Sequence, residues 1–360
     1  MLHKIDRYII SRLLMITVFV LVVLIFVFVV IDFSQNSDEF TDHGATIEQV
    51  VTVYYGNYIP EIVRLVTPVA VFIACLLVTG QMADRLEIVA LKAAGVSLYR
   101  LLIPYMLFGI VVLGIISYLD GFVVPKSNAK RMAFEHKYLN KSSQRIDKSV
   151  IFRQESKNNI MMINYFDPKE KVAYRVRFFK FKDDQVVETL DLIRMQWQEK
   201  KNDWLMVNGD RRVYHDKGYT SSHFNRRDTT INIYPQDLAR STTDVYQMTY
   251  PEIITYIKTL ERSGAGDIDL PRVQFYNKLT YPFSIIVVIL IGLSIAAERR
   301  RGGRGVHIAY GLTFSFIYLV FMKLMEPFGA KGEITPLLAA ITPHLFFFII
   351  GVVLFINAKK

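Results

Sequence analysis

The chain is 360 residues long, 52% apolar and 21% charged, with a mean hydropathy of +0.26. Its apolar residues collect in long blocks towards the two ends, which excludes a disordered chain or one small domain and argues against an ordinary soluble enzyme. Lys and Arg outnumber Asp and Glu by 43 to 33, but no nucleic-acid motif accompanies the excess, which fits membrane anchoring, and the single Cys75 excludes an intramolecular disulfide or a cysteine metal cluster.

Leu13 to Ile31 carries no charge and is about as long as the ~20 residues that cross a hydrocarbon core, so it predicts a first transmembrane helix. A cleaved signal peptide is the rival, but its apolar part should be only ~7–15 residues and no small-residue cleavage pattern follows. The second block, Ile59 to Met82, is interrupted early by Pro60, Glu61 and Arg64, leaving Leu65 to Gly80 as its apolar part. Glu61 and Arg64 are three apart and are expected to pair with each other at the interface.

Between the second and third spans lies ADRLEIVALKAAG, Ala83 to Gly95. At about 100° per residue, Leu86, Val89, Ala90 and Ala93 form an apolar face expected to lie on the neighbouring spans. The opposite face carries Asp84, Arg85, Glu87 and Lys92 around Ile88 and Leu91. Apolar knobs ringed by charge suit a groove on a partner. The alternative is a plain connecting helix. Gly95 is placed to close this helix and Ser97 to cap the next.

The third span is Leu101 to Leu119, with Pro104 near its start, and Pro125 to Asn140 reads as a helix leaving it. From Ser149 to Pro235 the pattern becomes short runs of Val, Ile, Phe and Tyr, broken at Asp167-Pro168, Asp183-Asp184, Asn202-Asp203, Asn208-Gly209 and Lys217-Gly218. This is strand punctuation, and it predicts an antiparallel sandwich, jelly roll or curved sheet. Val172, Tyr174, Val176 and Phe178 are expected on one face, with Ala173, Arg175, Arg177 and Phe179 on the other. A partly open sheet of this kind could hold an acyl chain; the plain alternative is a packed core. Pro251 to Ser263 reads as a second connecting helix, with Thr249 and Glu252 forming a capping box and Gly264 ending it.

Leu279 to Ala297, Val306 to Met322 and Leu337 to Ile356 complete six spans. The domains are therefore 1–124 (three spans with the short helix 83–95), 125–273 (the all-β domain with flanking helices) and 274–360 (three spans). Lys4, Arg7 and Arg12, then Arg85, Lys92 and Arg100, then Arg299, Arg300, Arg301 and Arg304, and finally Lys359 and Lys360 all flank one side. The segment Asp32 to Gln49 has Asp38, Glu39 and Asp42 but no Lys or Arg. Both termini are expected in the cytoplasm and the long segment from Gly121 to about Val273 outside.

The chain has no GxxxxGKS/T phosphate loop, no HExxH and no GxSxG. The pairs Gly264/Gly266 and Gly302/Gly303 follow helical segments and do not suit a dinucleotide loop. Lys323, Glu326 and His344 are ionisable groups near or in the membrane, expected to make a Lys323–Glu326 pair and one interhelical hydrogen bond from His344. Asn140-Lys141-Ser142 matches a glycosylation sequon. An intramembrane enzyme would need more converging polar groups than His344 and Thr313.

The order of three spans, an extracytoplasmic β domain and three more spans, with IDRYI at Ile5 to Ile9, ADRLEIVALKAAGVS at Ala83 to Ser97 and YNKLTYP at Tyr276 to Pro282, resembles the lipopolysaccharide-export permease family LptF/LptG. We note it as LptG-like, with the choice between the two paralogues left open. The resemblance implies a non-catalytic half-transporter of the inner membrane that pairs with a second such permease. Two copies of a cytosolic LptB-like ATPase would dock on the coupling helices and hydrolyse the ATP, so the chain itself would bind no cofactor and no metal. Glu87 matches the family's acidic coupling residue, with Asp84, Arg85, Ile88 and Leu91 as supporting contacts. Lipopolysaccharide would enter a cavity gated by spans one and five, rise to a periplasmic β-jellyroll and pass to a bitopic LptC-like protein and a periplasmic bridge.

One departure stands out. Where some members carry lysines just outside span one, this chain reads Asp32, Phe33, Ser34, Gln35, Asn36, Ser37, Asp38 and Glu39. Head-group contacts are then expected from Arg64, Lys126, Lys130, Arg131 or Lys323, from the second permease or from a bound cation, unless the lipid A is less phosphorylated. The other reading of the whole chain is a membrane scaffold or mechanical coupler that docks an ATPase without moving lipid.

Overall fold

The computed structural model describes residues 4–139, 151–156, 158–168, 170–182, 185–199, 201–215, 218–231, 233–238, 242–262, 268–297 and 303–358. The sequon at Asn140, Asp183-Asp184, Lys217, Ser263, Gly264, Gly266, Arg299 to Gly302 and the terminal lysines fall outside them. The chain divides into two compact units: Met1–Asn140 with Tyr246–Tyr250 and Arg272–Lys360, and Lys141–Val245 with Pro251–Pro271.

Among the described residues, the first unit holds six helices long and apolar enough to cross a membrane. Helix α1 (Lys4–Asp42) runs 39 residues, well beyond the apolar block read from the sequence. No Gly or Pro interrupts it, and Asn36 and Thr41 donate back to the carbonyls of Asp32 and Ser37 at 2.8 and 3.0 Å, so its polar tail stays helical. A Thr46 capping box opens α2 (Ile47–Gln49), which passes through a π-helical turn, Val50–Tyr55, into α3 (Gly56–Asp84). The short α4 (Glu87–Ala93) precedes α5 (Leu98–Tyr118), whose first turn is capped by Ser97 as expected. A second π-helical turn, Leu119–Val123, joins α5 to α6 (Val124–Tyr138).

The strand region is a single six-stranded meander in which each strand pairs antiparallel with its sequence neighbour. Its strands are β1 (Ile151–Ser156), β2 (Asn159–Asp167), β3 (Val172–Lys182), β4 (Gln185–Gln198), β5 (Asp203–His215) and β6 (Gly218–Thr229). The expected turns at Asp167-Pro168 and Asn202-Asp203 separate strands. Asn208-Gly209 does not: Asn208, at φ 52°, is a left-handed residue inside β5. Arg175, also at φ 52°, likewise breaks the alternation expected of β3. Ala173, Val176 and Phe178 therefore share the core face, and Tyr174 turns outward to stack on Tyr165 at 5.9 Å. Trp204 is fully buried in this core and donates its indole N–H to the Ile233 carbonyl at 2.7 Å. Two helices follow, α7 (Pro235–Leu238) and α8 (Tyr250–Arg262); α8 buries Ile253, Tyr256 and Leu260 along one stripe.

The first unit resumes with α9 (Asp269–Thr280), a turn at Tyr281–Phe283, α10 (Ser284–Ala296), α11 (Gly303–Ala330) and α12 (Pro336–Asn357). Helices α3 and α10 form its centre. A Cβ on Gly292 would lie 3.0 Å from the Cys75 Cβ, so only glycine allows this approach. The apolar windows of the spans built on α3 and α10 are each 72% buried, whereas that of α1 is 6% buried. Burial on α1 is concentrated at Asp6, Ile9, Leu13 and Thr17 near one end and at Asn36 and Phe40 near the other.

Truncating Trp204 to Ala removes the largest buried side chain of the β core and is expected to cost about 3–5 kcal/mol. Pulse proteolysis of the full chain should show cleavage within the strand region at lower urea than in the parent, with the helical unit still protected.

Candidate functional site

The segment Ala83 to Gly95 is not one helix. Leu86 takes a left-handed conformation, φ 59°, and breaks α3 from α4. This reverses the faces read from the sequence. Ile88 is buried and Leu91 is half-buried against the helical core, whereas Leu86 and Val89 are 50% and 58% exposed. The larger side chains of α4 itself fill the bundle, and the alanines left outside cost little there. The outward surface is thus Leu86 and Val89, with Asp84 and Arg85 exposed at its rim. Gly95, at φ 81°, closes the helix as expected, with its N–H bonded to the Lys92 carbonyl at 3.0 Å. Glu87 stands between this surface and α1: Tyr8 donates its hydroxyl to the carboxylate at 3.2 Å, and Arg85 approaches it at 3.9 Å.

At the opposite end of the same unit a set of charges is shut inside the bundle. Arg64 pairs with Asp120 at 3.6 Å, not with Glu61 as the spacing suggested. Glu61 instead accepts from Arg131 at 2.6 Å, and Arg131 also faces Glu135 at 3.3 Å and lies 4.6 Å over the Tyr58 ring. The carboxyl of Asp120 is 1% exposed, in the π-helical turn after α5. Its Oδ2 and the Arg64 Nε have no hydrogen-bond partner among the described residues. A cavity of about 170 Å³ opens beside the pair, lined by Arg64, Tyr246, Lys278, Tyr281, Lys323 and Glu326.

In that cavity Lys323 and Glu326 pair at 3.0 Å, as expected, and the Tyr246 hydroxyl reaches Glu326 at 3.5 Å. Arg64 and Lys323 are brought together, while Arg131 is engaged by carboxylates and Lys126 and Lys130 are exposed on α6 away from the cavity lining. Sequence reasoning missed Lys278. It is 2% exposed, donates to the Met248 carbonyl at 3.1 Å and lies 5.7 Å over the Tyr250 ring. Its signal was its place within YNKLTYP. Asp32, in the acidic stretch after span one, accepts from Tyr54 and Tyr55 at 3.3 and 3.1 Å, so its carboxylate is already used. His344 makes its one expected bond, to Tyr318 at 2.6 Å.

The β unit carries a second opening of about 360 Å³, whose apolar lining includes Phe178, Leu190, Met206, Phe224 and Ile231. Arg211 and Glu188 sit at it, hydrogen-bonded at 2.5 Å. That bond holds the Glu188 carboxyl below its ordinary 4.5, so the pair's contribution is present above that pH and is lost as the pH falls through the lowered value.

Comparison with known proteins follows the same outline. Residues 7–357 match the family model described as lipopolysaccharide export system permease LptF/LptG. The lipopolysaccharide export system permease protein LptG of Escherichia coli strain K12 is 21% identical over 354 residues, 96% of each chain. LptG of Haemophilus influenzae strain Rd is 20% identical over 355 residues, 97% of each chain.

Removing one partner of a buried ion pair strands the other charge, at about 3–5 kcal/mol. Arg64→Leu should therefore lower the thermal midpoint of the detergent-solubilised protein sharply. Arg64→Leu with Asp120→Leu should recover most of the loss. Equal destabilisation in single and double variants would show that the pair is not what matters there.

Proposed function

Because this chain belongs to the LptF/LptG family of lipopolysaccharide export permeases, we propose that it is one permease half of an ATP-driven exporter that draws lipopolysaccharide out of the inner membrane. Its two termini and α4 face the cytoplasm, where the Lys and Arg that flank the spans collect. The strand unit lies in the periplasm. The chain lacks a phosphate loop of its own, so a separate LptB-like ATPase supplies the energy, one copy docking here and one on a second permease of the same family.

The observation that carries this reading is the outward face of α4. Leu86, at the break before α4, and Val89, on α4, stand exposed beside Asp84, Arg85 and Glu87. An apolar pair ringed by charge fits a groove on a soluble partner. Ile88 and Leu91 act from behind, seating the helix on the bundle, so that a push on α4 is carried into the span core.

The lipid path uses the other two features. The cavity brings Arg64, Lys278 and Lys323 to one opening, a donor set suited to a phosphate or carboxylate of the head group. The opening in the β unit, apolar at Phe178, Leu190, Met206 and Phe224 and rimmed by charge at Lys180, Glu188, Arg211 and Arg227, has room for part of an acyl chain on its way to an LptC-like protein and the bridge beyond.

Two experiments test this. Glu87→Lys should leave the protein inserted and folded but abolish co-purification of the ATPase and lipid export; undiminished export would remove Glu87 from the docking surface. A photo-crosslinker at Phe178, Leu190 or Phe224 should capture lipid, whereas one at Tyr174 or Ile193, on the outward side, should not. Labelling that ignores this division would count against the conduit.

A further inference from the structure

We propose that Tyr8 and the Asp6–Arg100 pair form a clasp that transmits movement of α4 to α1; this rests on the reading of Glu87 as part of the ATPase-docking surface. Three contacts make the clasp. The Tyr8 hydroxyl donates to Glu87 at 3.2 and 3.4 Å. Arg100, in the first turn of α5, donates two hydrogen bonds to Asp6 at 2.9 and 2.8 Å. The Arg12 guanidinium lies 4.6 Å over the Tyr8 ring and donates to Gln81, near the end of α3, at 3.4 Å.

The Asp6 carboxylate is 5% exposed and Arg100 is 35% exposed, so the pair is open to solvent on the Arg100 side, and its bidentate, charge-assisted geometry ties the two helices together. The base of α1 is therefore joined to the elements on both sides of the docking helix and, through Glu87, to the docking helix itself.

What lies above the clasp explains why this matters. After Thr17 no residue of α1 is buried until Asn36. At its far end α1 is held again, by Asp32 to Tyr54 and Tyr55 and by Phe40 against the Tyr54 ring, with centroids 5.2 Å apart. At 1.5 Å per residue the helix is about 58 Å long, a rod pinned at its ends with its middle open to lipid. Such a rod shifts sideways when one pin moves, whereas α3 and α10, packed on all sides, do not. Through its bond from Tyr8, the Glu87 carboxylate joins the docking surface to the rod. A cation from the docked ATPase that draws Glu87 outward pulls on Tyr8 or breaks its bond, and either event alters where the base of α1 sits.

The test uses the whole exporter in lipid nanodiscs, with spin labels at Val23 on α1 and Val111 on α5, both exposed. Its readouts are the label separation with and without a non-hydrolysable ATP analogue, and the lipid released per ATP hydrolysed. Tyr8→Phe keeps the ring and its stacking on Arg12 but loses the hydroxyl. It should leave complex assembly and ATP hydrolysis near parental levels, lower lipid per ATP about tenfold and abolish the nucleotide-dependent change in separation. Asp6→Arg should do the same, and Asp6→Arg with Arg100→Asp should restore both readouts.

Parental coupling and distance change in Tyr8→Phe would overturn the clasp. So would a charge-swapped double variant no better than the single. If the unmodified complex releases no lipid, the exporter reading itself fails, and that outcome is separate from these.

Discussion

A charge inside a helical bundle must find its countercharge there, and the arrangement of the first unit follows from how Arg64 meets that demand. Arg64 leaves its sequence neighbour Glu61 and crosses to Asp120, while Glu61 crosses to Arg131. These two exchanges tie α3 to the π-helical turn after α5 and to α6. Lys278, on α9, adds its charge near Asp120. Desolvated charges of this kind add little net stability compared with apolar packing, but each tolerates only one partner geometry. They fix the register of the helices around the π-helical turn after α5, beside a small cavity lined by Arg64, Lys278 and Lys323.

The rest of the unit divides into parts that hold and a part that can move. Helices α3 and α10 approach across Gly292 and are closely packed. Helix α1 packs along α3 but buries residues fully only near its two ends. On the exporter account, a partner pressing on α4 meets a rigid centre on one side and a compliant rod on the other, so its work goes into α1.

Much of this was legible in the sequence, for reasons that differ by element. The spans were legible because hydropathy over about twenty residues leaves few alternatives. The strand unit was legible from its turn residues, although Asn208-Gly209 proved to lie within β5, because a left-handed residue inside a strand has the same sequence signature as a turn. The face of α4 was misread because the helical wheel was carried through Leu86. A left-handed leucine gives no sign of itself, whereas the left-handed Gly95 did. Asp120, the partner of Arg64, and Glu61, one of the two partners of Arg131, were hidden because they lie 56 and 70 positions away in sequence. Lys278 was hidden because it bonds to Met248, on a segment returning from the β unit, which no local pattern announces. Lys323 and Glu326 were visible because they are one helical turn apart.

The central claim is that this chain is a permease half that moves lipopolysaccharide with energy from a separate ATPase. It is tested most directly by purifying the protein from its native membrane in mild detergent and identifying, by mass spectrometry, the proteins and lipids bound to it. The account predicts an ABC ATPase, a second six-span permease and a lipid A-containing glycolipid, whose mass also reports its phosphorylation. An ATPase with no such lipid would contradict the export claim and leave a mechanical coupler; neither ATPase nor lipid would contradict the account as a whole.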